Sequence, residues 1–322
     1  MLDEVIKICS PIEDGTYVDC TFGAGGYSKK ILEFNKTKVL ALDRDKFILG
    51  IAKKFQKKYP KRFAFFQKKF SEVESVVMSQ TADAVIFDLG LSSIQLNNLE
   101  RGFSFKSKKT LDMSMGLSNT SAEKVINNFS EQKLKSIIKI LGEEKDASRI
   151  AKNIVRERMV KKITKVDQLV AIIEKSKKKN YKKKINPSTK TFQALRIFVN
   201  KEITELINGI INATKILKPG GKILIVSFHS IEDKIVKYFF NNFSSSRSKP
   251  SRYIPETKED NFSLFENYKN KIFQPTISEI IKNFPSRSAK LRYAIRNNNK
   301  FIYPDELTDK FKRYLDLEST HA

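Results

Sequence analysis

The chain is poor in cysteine and histidine and has no tryptophan. Its 322 residues include two cysteines, Cys9 and Cys20, and two histidines, His229 and His321. A structural zinc site needs four nitrogen or sulfur ligands at regular spacing, and a disulfide framework needs several paired cysteines. The sequence therefore predicts neither a structural metal site nor a disulfide-stabilised fold.

The chain also lacks a long apolar run and a secretory leader. Apolar stretches such as residues 223–228 are far shorter than the roughly 20 residues that a helix needs to cross a bilayer. The N-terminus carries Asp3 and Glu4 and has no apolar signal-peptide core. We therefore expect a soluble protein with no membrane contact, which in a bacterium is cytoplasmic.

Positive charge is in excess. The chain carries 61 Lys and Arg against 36 Asp and Glu, a formal net charge of +25 at pH 7. Such a charge suggests a polyanionic partner, most often a nucleic acid. Most of the basic residues are lysines, and abundant Lys, Ile, Asn and Phe are also typical of an AT-rich genome. Composition alone therefore leaves the partner open.

The first hundred residues alternate apolar strands with helices. Strands are predicted at Tyr17–Cys20, Lys38–Leu42, Phe63–Phe66 and Ala84–Phe87, and a helix near 46–58. This alternation indicates βαβ units and a parallel sheet.

Only helices are predicted over 120–180, where Thr120 and Thr164 each begin a capping box. The lysine-rich stretch 175–184 predicts an exposed loop or helix edge. One long helix is predicted from Phe192 to Leu217, and a buried strand follows at 222–228. Residues 241–275 predict an irregular loop. The fold class is therefore α/β: a core at 1–103 and 197–322, which ends in a basic tail, and a helical insert at 104–196 expected to recognise the substrate.

A glycine-rich turn follows the first strand. That strand ends at Asp19, and Gly23-Ala24-Gly25-Gly26 leads into a helix. Glycines allow a tight turn and a close approach of the backbone to a ligand, and Asp43, after the second strand, can accept hydrogen bonds from ribose hydroxyls. The pattern is not G-x-G-x-x-G, so it suits S-adenosylmethionine better than a dinucleotide. A tight turn without a ligand is the structural alternative.

Asp88 ends the fourth strand and is followed by a glycine and two serines. Ligands of open α/β sheets bind outside the carboxyl ends of the strands. An aromatic amine such as cytosine N4 is a poor nucleophile, because its lone pair is delocalised into the ring. A carboxylate that accepts its N–H bond would activate and orient it. The alternative is that Asp88 only caps the next turn.

Two later segments have two interpretations each. His229, within Ser227–Asp233, either contacts substrate and relays a proton or lies in an N-cap cluster in which Ser230 is the cap. The basic segment Arg287–Arg292 either binds phosphates or forms a solvated strand.

Several segments together carry a resemblance to a known family. They lie at Asp14–Ser28, Ala41–Asp45, Phe87–Phe105, Leu111–Met113, Gly142–Glu144, Thr191–Ile197, Pro219–Gly221, Ser227–Asp233 and Arg287–Arg292. In this order they resemble the bacterial ribosomal small-subunit methyltransferase H family, also called the MraW family. The resemblance implies a class I methyltransferase fold, Rossmann-like with a mostly parallel sheet and an inserted all-helical domain. It also implies transfer of a methyl group from S-adenosylmethionine to N4 of a cytosine in the decoding region of 16S rRNA.

Matching positions give a set of candidate residues. The resemblance implies cofactor contacts at Gly25, Gly26, Tyr27, Asp43, Phe70, Asp88 and Gln95. The candidate catalytic residues are Asp88, Ser93, Asp112 and His229. The candidate contacts to substrate RNA are Arg101, Arg196, Arg287, Lys290 and Arg292. No covalent intermediate on a cysteine is expected.

The chain departs from the family pattern at several positions. Tyr27 stands where the family usually has His, so a contact through the backbone is expected there. The other departures are Ile94 for Pro, Ser114 and Gly116 for Arg and Asp, Asn186 and Lys190 for His and Arg, and Phe284-Pro285 for Pro-Arg. Several face the expected RNA side, so they concern RNA contacts more than cofactor binding.

Three other functions predict different features. A DNA amino-methylase would carry Asn/Asp-Pro-Pro-Tyr where this chain has Asp88-Leu89-Gly90-Leu91-Ser92. A non-catalytic RNA-binding or ribosome-assembly protein would be favoured by loss of Asp43 or of the glycines, and these are present. A nicotinamide oxidoreductase predicts binding of NADH.

Overall fold

The computed structural model describes residues 1–118, 120–177, 186–245, 263–266 and 268–320. The chain divides into two compact units. The sheet unit comprises Met1–Gly90 and Glu205–Phe311, and the helical unit comprises Leu91–Thr204 and Lys312–Ala322. The helical unit extends beyond the predicted insert of residues 104–196 at both ends and also takes in the end of the chain. The recognition role of that insert stays a prediction.

One six-stranded sheet organises the sheet unit. Its strands are β1 (Thr16–Asp19), β2 (Lys38–Leu42), β3 (Phe63–Phe66), β4 (Ala82–Asp88), β5 (Leu217–Ser227) and β6 (Lys290–Ile295). They lie in the order β3-β2-β1-β4-β5-β6. All neighbouring pairs are parallel except β5 and β6. The predicted mostly parallel, Rossmann-like sheet is confirmed.

Thirteen α-helices are found among the residues that the structure describes. They are α1 (Leu2–Cys9), α2 (Gly26–Leu32), α3 (Leu49–Lys58), α4 (Ser93–Asn97), α5 (Ala122–Asn128), α6 (Glu131–Ile140), α7 (Ala147–Val160), α8 (Val166–Ser176), α9 (Thr189–Asn200), α10 (Glu202–Ile216), α11 (Ser230–Asn242), α12 (Ile277–Lys282) and α13 (Asp305–Ser319). Within the described ranges, none is long and apolar enough to cross a membrane.

Helix α6 shows how the sequence pattern produces a helix with one buried face. Leu134, Ile137, Ile138 and Leu141 recur at a spacing of three and four residues, and all four are fully buried. Ser130 caps the helix by accepting a hydrogen bond from the N–H group of Lys133. The predicted apolar face is confirmed.

The predicted caps of two other helices are wrong by one residue. Helix α5 is capped by Ser121, whose hydroxyl accepts from the N–H of Lys124, and not by Thr120. Helix α8 begins after Lys165 and not after Thr164, because the Gln168 side chain accepts from the N–H group of Lys165. In both cases the neighbouring residue supplies the geometry that the cap requires.

The predicted helix over 192–217 is two helices. Helix α9 ends at Asn200, Lys201 adopts a left-handed conformation with φ 50°, and α10 begins at Glu202. The Glu318 carboxylate of α13 accepts hydrogen bonds from the N–H groups of Ile203 and Thr204 and from the Thr204 hydroxyl. It therefore satisfies the donors that a new helix start leaves free.

Replacing Glu318 tests this capping role. Glu318→Ala leaves two backbone N–H groups and a hydroxyl without an acceptor at a buried position, so we expect unfolding free energy to fall by about 2 kcal/mol. Glu318→Gln retains a carbonyl oxygen and should lose less. Urea unfolding of both variants measures the difference, and equal losses would contradict the capping role.

Two predicted loops fall partly outside the described residues. Residues 178–184 of the lysine-rich stretch do so, and so do residues 246–262 and 267 of the irregular stretch.

Candidate active site

Three carboxylates lie along the carboxyl edge of the sheet. Asp19 ends β1, Asp43 follows β2 and Asp88 ends β4. Strand β1 lies between β2 and β4 and is parallel to both, so their carboxyl ends share one edge. In such sheets ligands bind where the strand order reverses. The structure thus brings Asp43 and Asp88 to one edge and adds Asp19 between them.

Asp43 holds the glycine-rich turn. Its Oδ2 atom accepts a hydrogen bond from the Gly23 N–H at 2.9 Å, and its Oδ1 atom accepts from the Asp45 N–H at 2.8 Å. Burial raises the pKa of Asp43, and both hydrogen bonds oppose that rise. Each carboxylate oxygen can still accept a further bond. The ribose contact assigned to Asp43 stays a prediction.

Gly25 and Gly26 meet different surroundings in this turn. Gly25 has φ +78°, and a Cβ atom there would lie 2.7 Å from the Phe55 ring and 2.9 Å from the Phe22 ring. A Cβ atom at Gly26 would meet nothing within 4 Å. The fold therefore requires glycine at position 25, whereas the space beside Gly26 is open to a ligand.

Asp88 carries a carboxylate oxygen that lacks a hydrogen-bond partner among the described residues. The Tyr27 side chain hydrogen-bonds to the carboxylate, and the backbone N–H of Asp88 donates to the Thr21 hydroxyl at 2.7 Å. Its Oδ1 atom is buried and has no hydrogen-bond partner among the described residues. Burial and the negative charge of Asp19 raise the pKa of Asp88 to about 7. A buried acceptor of this kind costs free energy until a donor reaches it.

The Tyr27 side chain lies next to Asp88. Its phenol hydrogen-bonds to Asp88, and burial raises the pKa of Tyr27 well above its ordinary value. The hydroxyl is therefore the donor of this bond at neutral pH. The only sign of this interaction in the sequence is the tyrosine at a position where the family usually has His. The backbone contact to the cofactor that is expected at Tyr27 stays a prediction.

Asp19 is a residue that sequence reasoning passed over. It is fully buried, its Oδ2 atom accepts from the Ser28 hydroxyl at 2.6 Å, and its Oδ1 atom accepts from the Thr21 N–H at 3.2 Å. Burial raises the pKa of Asp19 to about 6. An acid in an otherwise apolar strand was the signal. Its charge also acts on Asp88, so the two carboxylates titrate as neighbours.

His229 lies at the same edge, where β5 ends. It is the N-cap of α11: its Nδ1 atom accepts from the Glu232 N–H at 3.4 Å, and its Nε2 atom lies 3.0 Å from Glu232 Oε1. Accepting at Nδ1 leaves the proton of a neutral ring on Nε2. The interpretation as an N-cap cluster is confirmed with His229 as the cap, and Ser230 as the cap is wrong. A substrate contact stays a prediction.

Phe70 packs between two elements of the sheet unit. Its ring contacts that of Phe87 on β4 edge-on, with centroids 5.4 Å apart. A Cβ atom at Gly209 of α10 would lie 2.5 Å from the Phe70 ring. The ring is therefore fixed against β4 and α10, and its adenine contact stays a prediction.

In the helical unit, Gln95 and Ser93 lie on the short helix α4. Gln95 is buried, and its side-chain oxygen accepts from the N–H of Ser92 at 3.0 Å. Ser92 in turn caps the helix by accepting from the N–H of Gln95. Ser93 is exposed on the first turn. Their cofactor and catalytic roles stay predictions.

Asp112 and Arg101 belong to one loop of the helical unit. Asp112 accepts from the Ser114 hydroxyl at 2.9 Å. Arg101 is buried, donates to the Ser114 carbonyl at 3.0 Å and places its guanidinium 5.0 Å from the centre of the Phe103 ring. Arg101 therefore supports the loop that carries Asp112. Its burial does not support the predicted phosphate contact.

The other candidate RNA contacts divide by exposure. Arg196 pairs with Glu202 at 2.8 Å. Arg292 is 2% exposed and donates to Asp233 at 2.7 Å, so the alternative of a solvated basic strand is wrong for it and direct RNA contact is not supported. Lys290 also pairs with Asp233, at 3.0 Å, but is 38% exposed. Arg287 is exposed. Arg287 and Lys290 are thus the accessible members of the set.

Comparison with known proteins identifies the family of this chain. The model of the MraW methylase family matches residues 1–297. The ribosomal RNA small subunit methyltransferase H of Ehrlichia canis (strain Jake) is 41% identical over 300 residues, covering 92% of this chain and 98% of the relative. The protein of the same name from Orientia tsutsugamushi (strain Ikeda) is 41% identical over 301 residues, covering 92% of this chain and 96% of the relative. The chain belongs to the MraW methylase family. The predicted class I methyltransferase fold is confirmed with it.

The cysteines of this methylase do not suit nucleophilic catalysis. Cys9 and Cys20 are both free and buried. Burial raises the pKa of Cys9 to about 12 and raises that of Cys20 well above its ordinary value. The thiolate is the nucleophilic form, so neither side chain is prepared for attack. Direct transfer without a covalent intermediate stays a prediction.

Proposed function

We propose that this methylase transfers a methyl group to N4 of a cytosine in the decoding region of 16S rRNA, within the small ribosomal subunit. Relatives of similar length and 41% identity bear the name ribosomal RNA small subunit methyltransferase H. The observation that carries the proposal is the buried Asp88 Oδ1 atom, which lacks a partner among the described residues. An exocyclic amine supplies the N–H donor that this oxygen lacks.

S-adenosylmethionine is the methyl donor in this proposal, and it supplies an electrophilic methyl group on a sulfonium. The residues present fit it. The turn at Gly25 and Gly26 leaves open space at position 26, and Asp43 keeps acceptor capacity for ribose hydroxyls. Phe70 offers an aromatic surface to the adenine. Gly25, Gly26, Tyr27, Asp43, Phe70 and Asp88 of the sheet unit would bind the donor.

Asp88 both orients and activates the amine. As a carboxylate it accepts an N–H bond from N4, which increases electron density on the nitrogen and fixes its lone pair toward the methyl carbon. The N4 lone pair forms the new bond to carbon while the carbon–sulfur bond breaks. The proton that N4 then releases can pass to Asp88, whose pKa of about 7 suits a general base at neutral pH. His229, at the same edge of the sheet unit, stays a candidate for holding the cytosine.

The RNA contacts follow from accessible charge. The chain has a net charge of +25. Lys290 is the first residue of β6 and pairs with Ser227 at the carboxyl end of β5, and Arg287 lies three residues before it. They therefore lie at the same sheet edge as Asp88. A base must leave its stack to enter such a site. A ribosomal substrate also implies that the protein works in the cytoplasm.

One labelling experiment tests the proposal. The purified protein is incubated with methyl-labelled S-adenosylmethionine and with small ribosomal subunits from a strain that lacks the endogenous methylase. We expect label as N4-methylcytosine at one position of the decoding region. Label in another nucleoside would reject the substrate and retain the methylase, and tight binding of NADH in place of the donor would overturn the donor assignment.

The hydrogen bond from Tyr27 predicts a shift in the pH profile. That bond stabilises the Asp88 carboxylate and lowers its pKa, whereas burial raises it. Activity should therefore rise with pH through about 7, as the carboxylate forms. In Tyr27→Phe this stabilisation is lost and the pKa of Asp88 is higher. The rise in activity should therefore occur at a pH about one unit higher than in the wild type. The pH dependence of kcat/KM in both proteins checks this, and superimposable profiles would contradict it.

Salt separates binding of RNA from binding of the donor. Phosphate contacts release counterions, so raising salt from about 50 to about 200 mM should weaken RNA affinity by at least about tenfold. Affinity for S-adenosylmethionine should change little. Filter binding for RNA and calorimetry for the donor measure the two, and equal salt dependence would mean that the basic surface does not bind RNA.

A further inference from the structure

A short exposed ridge precedes β6. Helix α12 has no buried residue, and Ile277 and Ile281 are each 78% exposed. The 3₁₀ turn Phe284–Ser288 follows, and Phe284 is 63% exposed. Ile277 and Ile281 lie four residues apart on one face of α12. Asn283, with φ −137° and ψ 76°, ends this helix, and Phe284 begins the next turn. We call Ile277, Ile281, Phe284 and Arg287 the Phe284 ridge.

The ridge combines an aromatic ring with a cation. The Arg287 guanidinium lies 4.3 Å from the centre of the Phe284 ring, and its Nη1 atom donates to the Phe284 carbonyl at 3.4 Å. Arg287 is itself exposed, as is Lys282. A ring next to a planar guanidinium gives two surfaces on which a nucleobase can stack, and the cations can meet its phosphates.

The position of the ridge connects it with the reaction. Lys290, just after the turn, pairs with Ser227 at the carboxyl end of β5. The ridge therefore lies beside the candidate active site of the sheet unit.

We propose that the Phe284 ridge stacks an unpaired RNA base next to the target cytosine and so positions the substrate strand. The inference rests on the proposed function, because it takes the substrate to be RNA. A group of exposed apolar side chains rimmed by polar residues marks an interaction surface. The adjoining Lys282 and Arg287 favour a polyanion as the partner over an apolar protein groove.

Substitutions at Phe284 distinguish stacking from apolar docking. The probe is a short single-stranded RNA with the decoding-region sequence and with 2-aminopurine in place of a base beside the target cytosine. Stacking on an aromatic quenches 2-aminopurine. We expect quenching with the wild-type protein and with Phe284→Trp, and none with Phe284→Leu. Affinity should fall roughly 5- to 100-fold in Phe284→Leu.

Ile281→Ser is the matched control, since it removes exposed apolar area and keeps the ring. It should bind RNA within about twofold of wild type, because it loses no stacking surface. Melting temperature and affinity for S-adenosylmethionine should be unchanged in all three variants, since these side chains are exposed. If Ile281→Ser weakens attachment to small subunits as much as Phe284→Leu does, the ridge docks a protein and the proposal fails.

The outcomes separate this proposal from the proposed function. If wild type methylates small subunits and Phe284→Leu binds the RNA as well as wild type does, the stacking proposal is wrong and the proposed function remains. If wild type neither binds the RNA nor methylates small subunits, both proposals are overturned.

Discussion

Asp88→Asn should lower kcat for methyl transfer by about 10²- to 10⁴-fold, the usual contribution of a group that takes a proton from the reacting atom. The amide oxygen can still accept an N–H bond, but it carries no charge and cannot take the proton that N4 releases. Asparagine also adds two N–H donors next to the Tyr27 hydroxyl and the Asp19 carboxylate. The loss should appear mainly in kcat, because the carboxylate matters most as charge develops on the amine.

A substitution on the same strand provides the control. Asp83, near the other end of β4, accepts a hydrogen bond from the Thr16 N–H at 2.7 Å and pairs with Lys218 at 2.8 Å. Asp83→Asn makes the same chemical change away from the carboxyl edge. It should alter kcat by less than about threefold, because it changes no group at that edge. Single-turnover methylation of small subunits by both variants gives the comparison. Wild-type kcat in Asp88→Asn would remove Asp88 from the chemistry.

The strands that carry the site were predictable because their signals are local. The predicted bounds of β2 and β3 agree with the structure residue for residue. Buried parallel strands are continuous apolar runs between turns, and this pattern needs no knowledge of distant residues. Once the strands are parallel, Asp43 and Asp88 must share one edge. That part of the candidate site follows from the sequence.

The contacts that tune the site were not predictable, because they join distant parts of the chain. The hydrogen bond of Tyr27 to Asp88 connects the first turn of α2 with the end of β4. The break after α9 is stabilised by Glu318, which lies 114 residues beyond Thr204. Local propensity favours a single helix over this stretch, and tertiary hydrogen bonds decide otherwise.

Charge was the least informative part of the sequence. The candidate RNA contacts include both buried, paired basic residues and exposed ones, and the sequence does not distinguish them. Arg292 lies 59 positions from its partner Asp233 and is buried by it, whereas Arg287 remains exposed. An arginine paired inside the fold contributes to the net charge without contributing to a nucleic-acid surface. The excess of +25 therefore overstates the number of RNA contacts.

Gly25→Ala should lower the unfolding free energy by about 2–5 kcal/mol, from left-handed strain of about 1–2 kcal/mol and overpacking of about 1–3 kcal/mol. The new Cβ atom would press on Phe22 and Phe55, whose rings contact each other edge-on with centroids 5.2 Å apart. Phe22 is 2% exposed and contacts Phe63 as well, so it has little room to move. The glycine turn should therefore lose its conformation, and donor affinity with it.

Gly26→Ala separates binding from folding. Its Cβ atom meets no protein atom within 4 Å, and alanine is a better helix former at the start of α2. Thermal unfolding without donor should therefore match wild type or exceed it slightly. Because the open space is where the donor would approach, calorimetry should show weaker binding of S-adenosylmethionine. If Gly26→Ala binds the donor as wild type does, the donor does not approach the backbone there. If Gly25→Ala unfolds as wild type does, the turn is not constrained by the Phe22 and Phe55 rings.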